Sequence, residues 1–281
     1  MSPSSSLAEE DKVRTSSNPA FRNLPTGQGG YAGFERMGGA AGGAAAYRQG
    51  SAPSGFGQAP AGERALTIDD VVTKTAITFG AALVAGVLTA LSGMYFLVLP
   101  AFIVGLVISL IVIFKQSSNP ALVLTYSIAE GIALGGITGV IEAASPKYAG
   151  IGTQAVIGTV GVFIGMLVVY KTGAVRVTPK LTKWIMGAMI GVVVLMLANF
   201  VASLFGVEMG LRNGGPLAIG FSLVVIGVAA FSLLLDFDQA DRAIRAGVPA
   251  KFAWYIAFGL MTTLVWLYIE ILRLLSYFRS N

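Results

Sequence analysis

The sequence predicts an all-α integral membrane protein, a seven-transmembrane-helix bundle behind a disordered N-terminal tail, and three observations carry that prediction. Only 12% of the 281 residues are charged while 55% are hydrophobic, where a soluble domain carries about one quarter charged residues. Mean hydropathy is +0.75. Uncharged apolar runs recur at the ~20-residue length that crosses a bilayer core, and none occurs ahead of Thr67. The chain has room for one such bundle and a tail, not for two membrane domains.

Residues 1–66 are expected to form a disordered cytoplasmic tail rich in Gly, Ala, Ser and Pro. Tracts such as Gly38-Gly39-Ala40-Ala41-Gly42-Gly43 offer no periodic apolar face to bury. The tail lacks the continuous apolar core of a secretory signal, so the first membrane helix is expected to act as the targeting signal. The membrane domain, 67–281, opens at Thr67-Ile68-Asp69-Asp70. Thr67 can cap a helix there, and Asp70 falls among that helix's unsatisfied amide protons.

No charge occurs between Lys74 and Lys115, a stretch that holds two spans, about 74–91 and 95–114, with a turn at Ser92-Gly93. Asn119-Pro120 opens a third helix, 120–143, in the manner proline favours for a first turn. The uncharged runs Tyr148 to Tyr170, Trp184 to Val207 and Asn213 to Leu235 predict helices at 150–170, 183–207 and 215–236. A seventh is expected over 252–278. Gly131, Gly135 and Gly139, and Gly158, Gly161 and Gly165, sit at spacings that let helix backbones approach in lipid. A hinge or pore lining is the alternative use of such glycines.

Orientation follows from the basic residues of the connections. Connections two, four and six carry Lys115; Lys171, Arg176, Lys180 and Lys183; and Arg242, Arg245 and Lys251, against Lys147 and Arg212 on the other side. Eight against two places the N-terminus in the cytoplasm and, with seven spans, the C-terminus outside. The sequence pI near 9.5 thus reads as membrane orientation, and no nucleic-acid partner is expected, because the basic residues form no stripe.

Cysteine and histidine are both absent. That excludes disulfides, thiolate catalysis, iron–sulfur clusters, histidine-ligated zinc and a Ser-His-Asp triad. A retinal-type lysine in helix seven and the Gly-x-Gly-Asp segment of membrane aspartyl proteases are missing too, so no enzyme and no cofactor are expected. Any response to pH must come from carboxylates.

Intramembrane charge is costly, by about 2.5 to 3.5 kcal/mol a residue, and few residues carry it. Glu130 falls near the middle of helix three, where it could pair with Asn199 of helix five or serve an ion path. Glu270 lies inside helix seven with Arg273 three positions on, so the two share a helix face and could simply pair. Asp236 and Asp238 lie where helix six meets the cytoplasm. Asp238 and Asp241 read as a solvated helix end offsetting Arg242 and Arg245, while Asp236, directly after Leu233-Leu234-Leu235, is the one drawn towards the bundle. The functional alternative for Glu270 is a buried carboxylate pair with an aspartate of helix six. Two close carboxylates in low dielectric cannot easily both ionise, so such a pair shares a proton and acts as a proton-sensitive latch or a cation ligand.

Leu235-Asp236-Phe237-Asp238-Gln239, Leu267-Tyr268-Ile269-Glu270-Ile271-Leu272-Arg273-Leu274-Leu275, and Asn119-Pro120-Ala121-Leu122 followed by Glu130-Gly131 occur in an order over seven spans that resembles the Bax inhibitor-1 family, also called YccA or TMBIM, in its bacterial form. The resemblance covers about 67–281. It implies a bundle with the C-terminal helix central, a bacterial inner-membrane location, and a pH-sensitive calcium leak. The leak would be gated by a carboxylate pair between helices six and seven, here Asp236 and Glu270, with Ca2+ as the transported ion and a cation ligand position at the pair. It also implies an alternative: a non-transporting regulatory protein that binds the membrane protease FtsH, with the tail as its docking segment. Glu270 stands where the family usually has aspartate. Asp236 and Glu270 are 34 residues apart, and a helix begun at Phe252 carries Glu270 about 27 Å along its axis. Contact therefore requires part of Lys251 to Gly259 to be interfacial, as Trp254 and Tyr255 would favour, or helix six to bend.

Overall fold

Capping residues set most helix starts. The computed structural model describes residues 63–207 and 209–280, and the tail expected over 1–66 lies outside the described residues as far as residue 62. Seven helices are long and apolar enough to cross a membrane among those residues: α1 Ile68–Ser92, α2 Val98–Lys115, α3 Pro120–Ala144, α4 Ile151–Thr172, α5 Pro179–Leu204, α6 Pro216–Arg245 and α7 Ala253–Ser280. Thr67 and Asp70 form a reciprocal capping box at α1. Asn119 accepts from the Ala121 amide at 2.9 Å ahead of Pro120, and Thr178 caps α5 ahead of Pro179. Gly93, with φ of 67°, ends α1 in the left-handed conformation that a side chain resists.

Two boundaries differ most from those the charge pattern predicts. α1 starts at Ile68, not 74, because the capping box satisfies its first amides and lets polar turns precede the apolar span. α6 continues to Arg245, past 236, on the i,i+4 pairs Asp238–Arg242 at 2.6 Å and Asp241–Arg245 at 2.8 Å, which support helix beyond the apolar run.

α7 is central, packing against α1, α3, α4 and α6. Leu260, Leu264 and Leu267 of α7 join Ala229, Leu233 and Phe237 of α6 in the largest buried apolar cluster. α1 and α3 lie backbone to backbone: a Cβ at Gly131 would collide with the Ala82 carbonyl, and one at Gly135 with the Gly86 carbonyl. The α4 glycines behave differently. Gly158 faces Ile271, but Gly161 and Gly165 face open space and draw no neighbour close. α5 stands at the edge, packed chiefly on α6, with only Ile185 and Val192 buried.

The segment just ahead of α1, grouped with the tail on sequence, is packed from residue 63 onward. The Leu66 amide donates to the Val248 carbonyl at 2.7 Å and the Ala250 amide to the Arg64 carbonyl at 2.9 Å. Lys251 pairs with Glu63 at 3.0 Å, and Leu66 is buried. Arg64 in turn meets Asp70 at 2.6 Å, and that carboxylate holds its guanidinium pKa above the ordinary value. This clasp ties the start of α1 to the α6–α7 connection. At the opposite end, Arg279 donates to the Lys147 and Ala149 carbonyls at 2.9 and 2.7 Å, and the Tyr277 hydroxyl to the Arg212 carbonyl at 3.3 Å. α7 thus runs the full depth of the bundle.

Candidate functional site

Helices α6 and α7 meet along a seam whose apolar packing is interrupted by acids. Buried Leu233, Leu234 and Phe237 surround Asp236 on α6 and leave its half-buried carboxylate facing α7. There the Thr263 hydroxyl donates to Asp236 Oδ2 at 2.7 Å. A hydroxyl is a neutral partner, so the seam holds a carboxylate with no cation bonded to it among the described residues.

Glu270 is 1% exposed. Its Oε1 accepts from Arg273 Nη1 at 2.7 Å, and its Oε2 is buried with no partner among the described residues. The arginine side chain keeps 22% of its surface exposed. Arg212, from the α5–α6 connection, completes the surroundings of this acid. Desolvation, then the Arg273 cation, hold the Arg212 guanidinium pKa below its ordinary value, against the pull of Glu270. Glu270 is therefore bonded to one cation and within the electrostatic reach of a second, at the end of the bundle that carries Tyr277 and Arg279.

The direct Asp236–Glu270 pair is not formed. Asp236 meets Thr263, and Thr263 precedes Glu270 by seven residues, two turns on the same face, a rise of about 10 Å. The cause is the start of α7. A single 3-10 turn, Ala250–Phe252, leads straight into helix at Ala253, so Trp254 to Gly259 form the first turns of α7. No cluster of three or more potential metal-ligating acids occurs among the described residues.

The remaining candidates are dispersed. Glu130 is half-buried on α3 and faces Gly105 of α2, where a Cβ would come within 2.9 Å of Glu130 Oε1. It makes no hydrogen bond with Asn199 among the described residues, because α5 lies on the far side of α6. Asp238 and Asp241 hold Arg242 and Arg245 at the end of α6.

Three contacts escaped the sequence. Thr263 is one; the others are the Tyr268 hydroxyl against Thr138 of α3 at 2.8 Å and the Tyr126 hydroxyl against Thr262 at 3.2 Å. Together they give α7 a polar partner on both α3 and α6. The one available signal was Thr262-Thr263 in the middle of an apolar run, which reads equally as ordinary helix filling. Beside this row an apolar groove of about 370 Å³ opens between α1, α3, α4 and α7, floored by Gly86, Gly131 and Gly135.

A family model described as Bax inhibitor 1 like matches residues 11–280. No curated protein matches the chain.

Proposed function

The chain belongs to the Bax inhibitor 1 like family, and from that premise we propose that this multi-pass membrane protein is a pH-sensitive leak for cations, calcium among them, along the α6–α7 seam. The observation that carries the reading is the Asp236 carboxylate inside the seam, held by Thr263 at 2.7 Å with no cation bonded to it among the described residues. An ionised carboxylate in low dielectric lacks its compensation, and a passing cation supplies it by taking the place of the Thr263 hydroxyl. Protonation removes that attraction. Acidification therefore slows the leak as Asp236 takes up its proton.

Glu270 is the second station. In the structure Arg273 neutralises it, which supports reading this arrangement as the closed state. The exposed edge of the arginine side chain gives it room to swing away, and freeing Glu270 then offers a second anionic stop about 10 Å from the first. Protons and cations compete at two separate carboxylates in series, in place of one shared-proton pair.

Full-length protein in liposomes loaded with a calcium indicator tests this. Wild type should admit calcium faster at neutral than at acidic pH. Asp236→Asn should lower the flux by roughly tenfold, the weight of about 1.4 kcal/mol, and flatten its pH dependence, and Thr263→Val should shift the pH midpoint. Unchanged flux and midpoint in Asp236→Asn would overturn the assignment.

A second reading, docking to a membrane protease such as FtsH through the tail, draws support from the clasp, which joins the end of the tail to the α6–α7 connection. Removing residues 1–62 separates the two: the leak should persist, while a tail-mediated partner should be lost.

A further inference from the structure

At the end of the bundle that carries the clasp, a cavity of about 520 Å³ opens between the end of α4, the α4–α5 connection and the last turns of α6. Its charged lining is Lys171, Arg176, Arg242 and Arg245 against Asp238 and Asp241, a net charge of +2. Arg242 and Arg245 are held by the two aspartates at 2.6 and 2.8 Å. Lys171 and Arg176 make no ion pair among the described residues. Basic residues that only set orientation can splay into the interface; here four converge on one concavity, and two keep their charge free.

The geometry points to a binding site for the phosphate of an anionic phospholipid headgroup, with Lys171 and Arg176 as its cations and the paired arginines as the wall. A lipid is favoured over a free phosphate by what lies below the pocket. Ile164, Val168 and Lys171 follow one face of α4 at i, i+4 and i+7, and Ile164 and Val168 are 53% and 54% exposed. The lysine therefore caps an open apolar stripe that runs into the membrane, the arrangement a headgroup and its acyl chain require together. Tyr170 lines the same pocket, and an amphipathic ring of this kind favours the membrane boundary. The site owes nothing to the α6–α7 leak and stands or falls without it.

Native mass spectrometry of the full chain, released from micelles holding equal phosphatidylglycerol and phosphatidylcholine, tests the site. Wild type should retain phosphatidylglycerol in preference. Lys171→Gln with Arg176→Gln should weaken that preference by roughly tenfold or more, as expected for two cations near a membrane surface. Lys180→Gln with Lys183→Gln, which removes the same charge outside the pocket, should leave it intact. Equal losses in the two double variants would mean diffuse charge and overturn the site. Complete displacement of the lipid by glycerol 3-phosphate would overturn the lipid assignment in favour of a free-phosphate site. Wild type alone provides a further check, because a preference that does not fall as salt is raised is not electrostatic and refutes the proposal.

Discussion

Arg273 is the residue on which the closed seam depends. Among the described residues it is the only hydrogen-bonding partner of a carboxylate that is 1% exposed, so Arg273→Ala leaves a buried charge with no cation bonded to it and should cost about 3 kcal/mol or more. Glu270→Gln with Arg273→Gln removes both charges and should cost clearly less; thermal unfolding of the two variants in one detergent compares them, and equal losses would show that the ion pair is not what matters. This contact was legible in the sequence, because residues three apart on a helix share a face wherever the helix lies. The Asp236–Thr263 bond was not. It depends on how deep two antiparallel helices sit relative to each other, and that is set by where α7 begins at Ala253, because Pro249 opens a 3-10 turn and the α-helix follows only after it. The Asp236–Glu270 pair expected from the family resemblance depends on the same register, and the residue that Asp236 meets is Thr263, two turns ahead of Glu270.

Among the elements, α1 and α3 are joined by their glycines and α5 is barely joined at all. Gly135→Val pushes a side chain into the Gly86 carbonyl and should cost about 3 kcal/mol or more. Gly165→Ala meets nothing within 4 Å, and its effect should stay within about 0.5 kcal/mol. Measured by thermal unfolding, similar values for both would refute the close approach of α1 and α3. Spacing alone could not tell these glycines apart, since Gly131 to Gly139 and Gly158 to Gly165 recur in much the same way. What differs is whether a partner helix lies opposite. The number of spans was legible because crossing a bilayer demands a fixed run of uncharged residues. The ends of α1 and α6 were not, because capping and i,i+4 ion pairs extend helix into polar sequence that run lengths ignore.

For the whole molecule, the two ends of the described chain lie at opposite ends of α7. Reporters fused ahead of residue 1 and after residue 281 should therefore read opposite sides of the membrane, and a cytoplasmic signal from both would contradict a full seventh span. The clasp also carries a consequence for how the protein is made. Glu63 and Lys251 are 188 residues apart, so at about 5 to 20 residues per second the ribosome needs roughly 10 to 40 s to deliver the second half of the fastener after the first. Throughout that interval Leu66, buried in the finished protein, has nothing to close upon. Biogenesis must leave the segment ahead of α1 waiting at the membrane face until the last hairpin arrives to button it down.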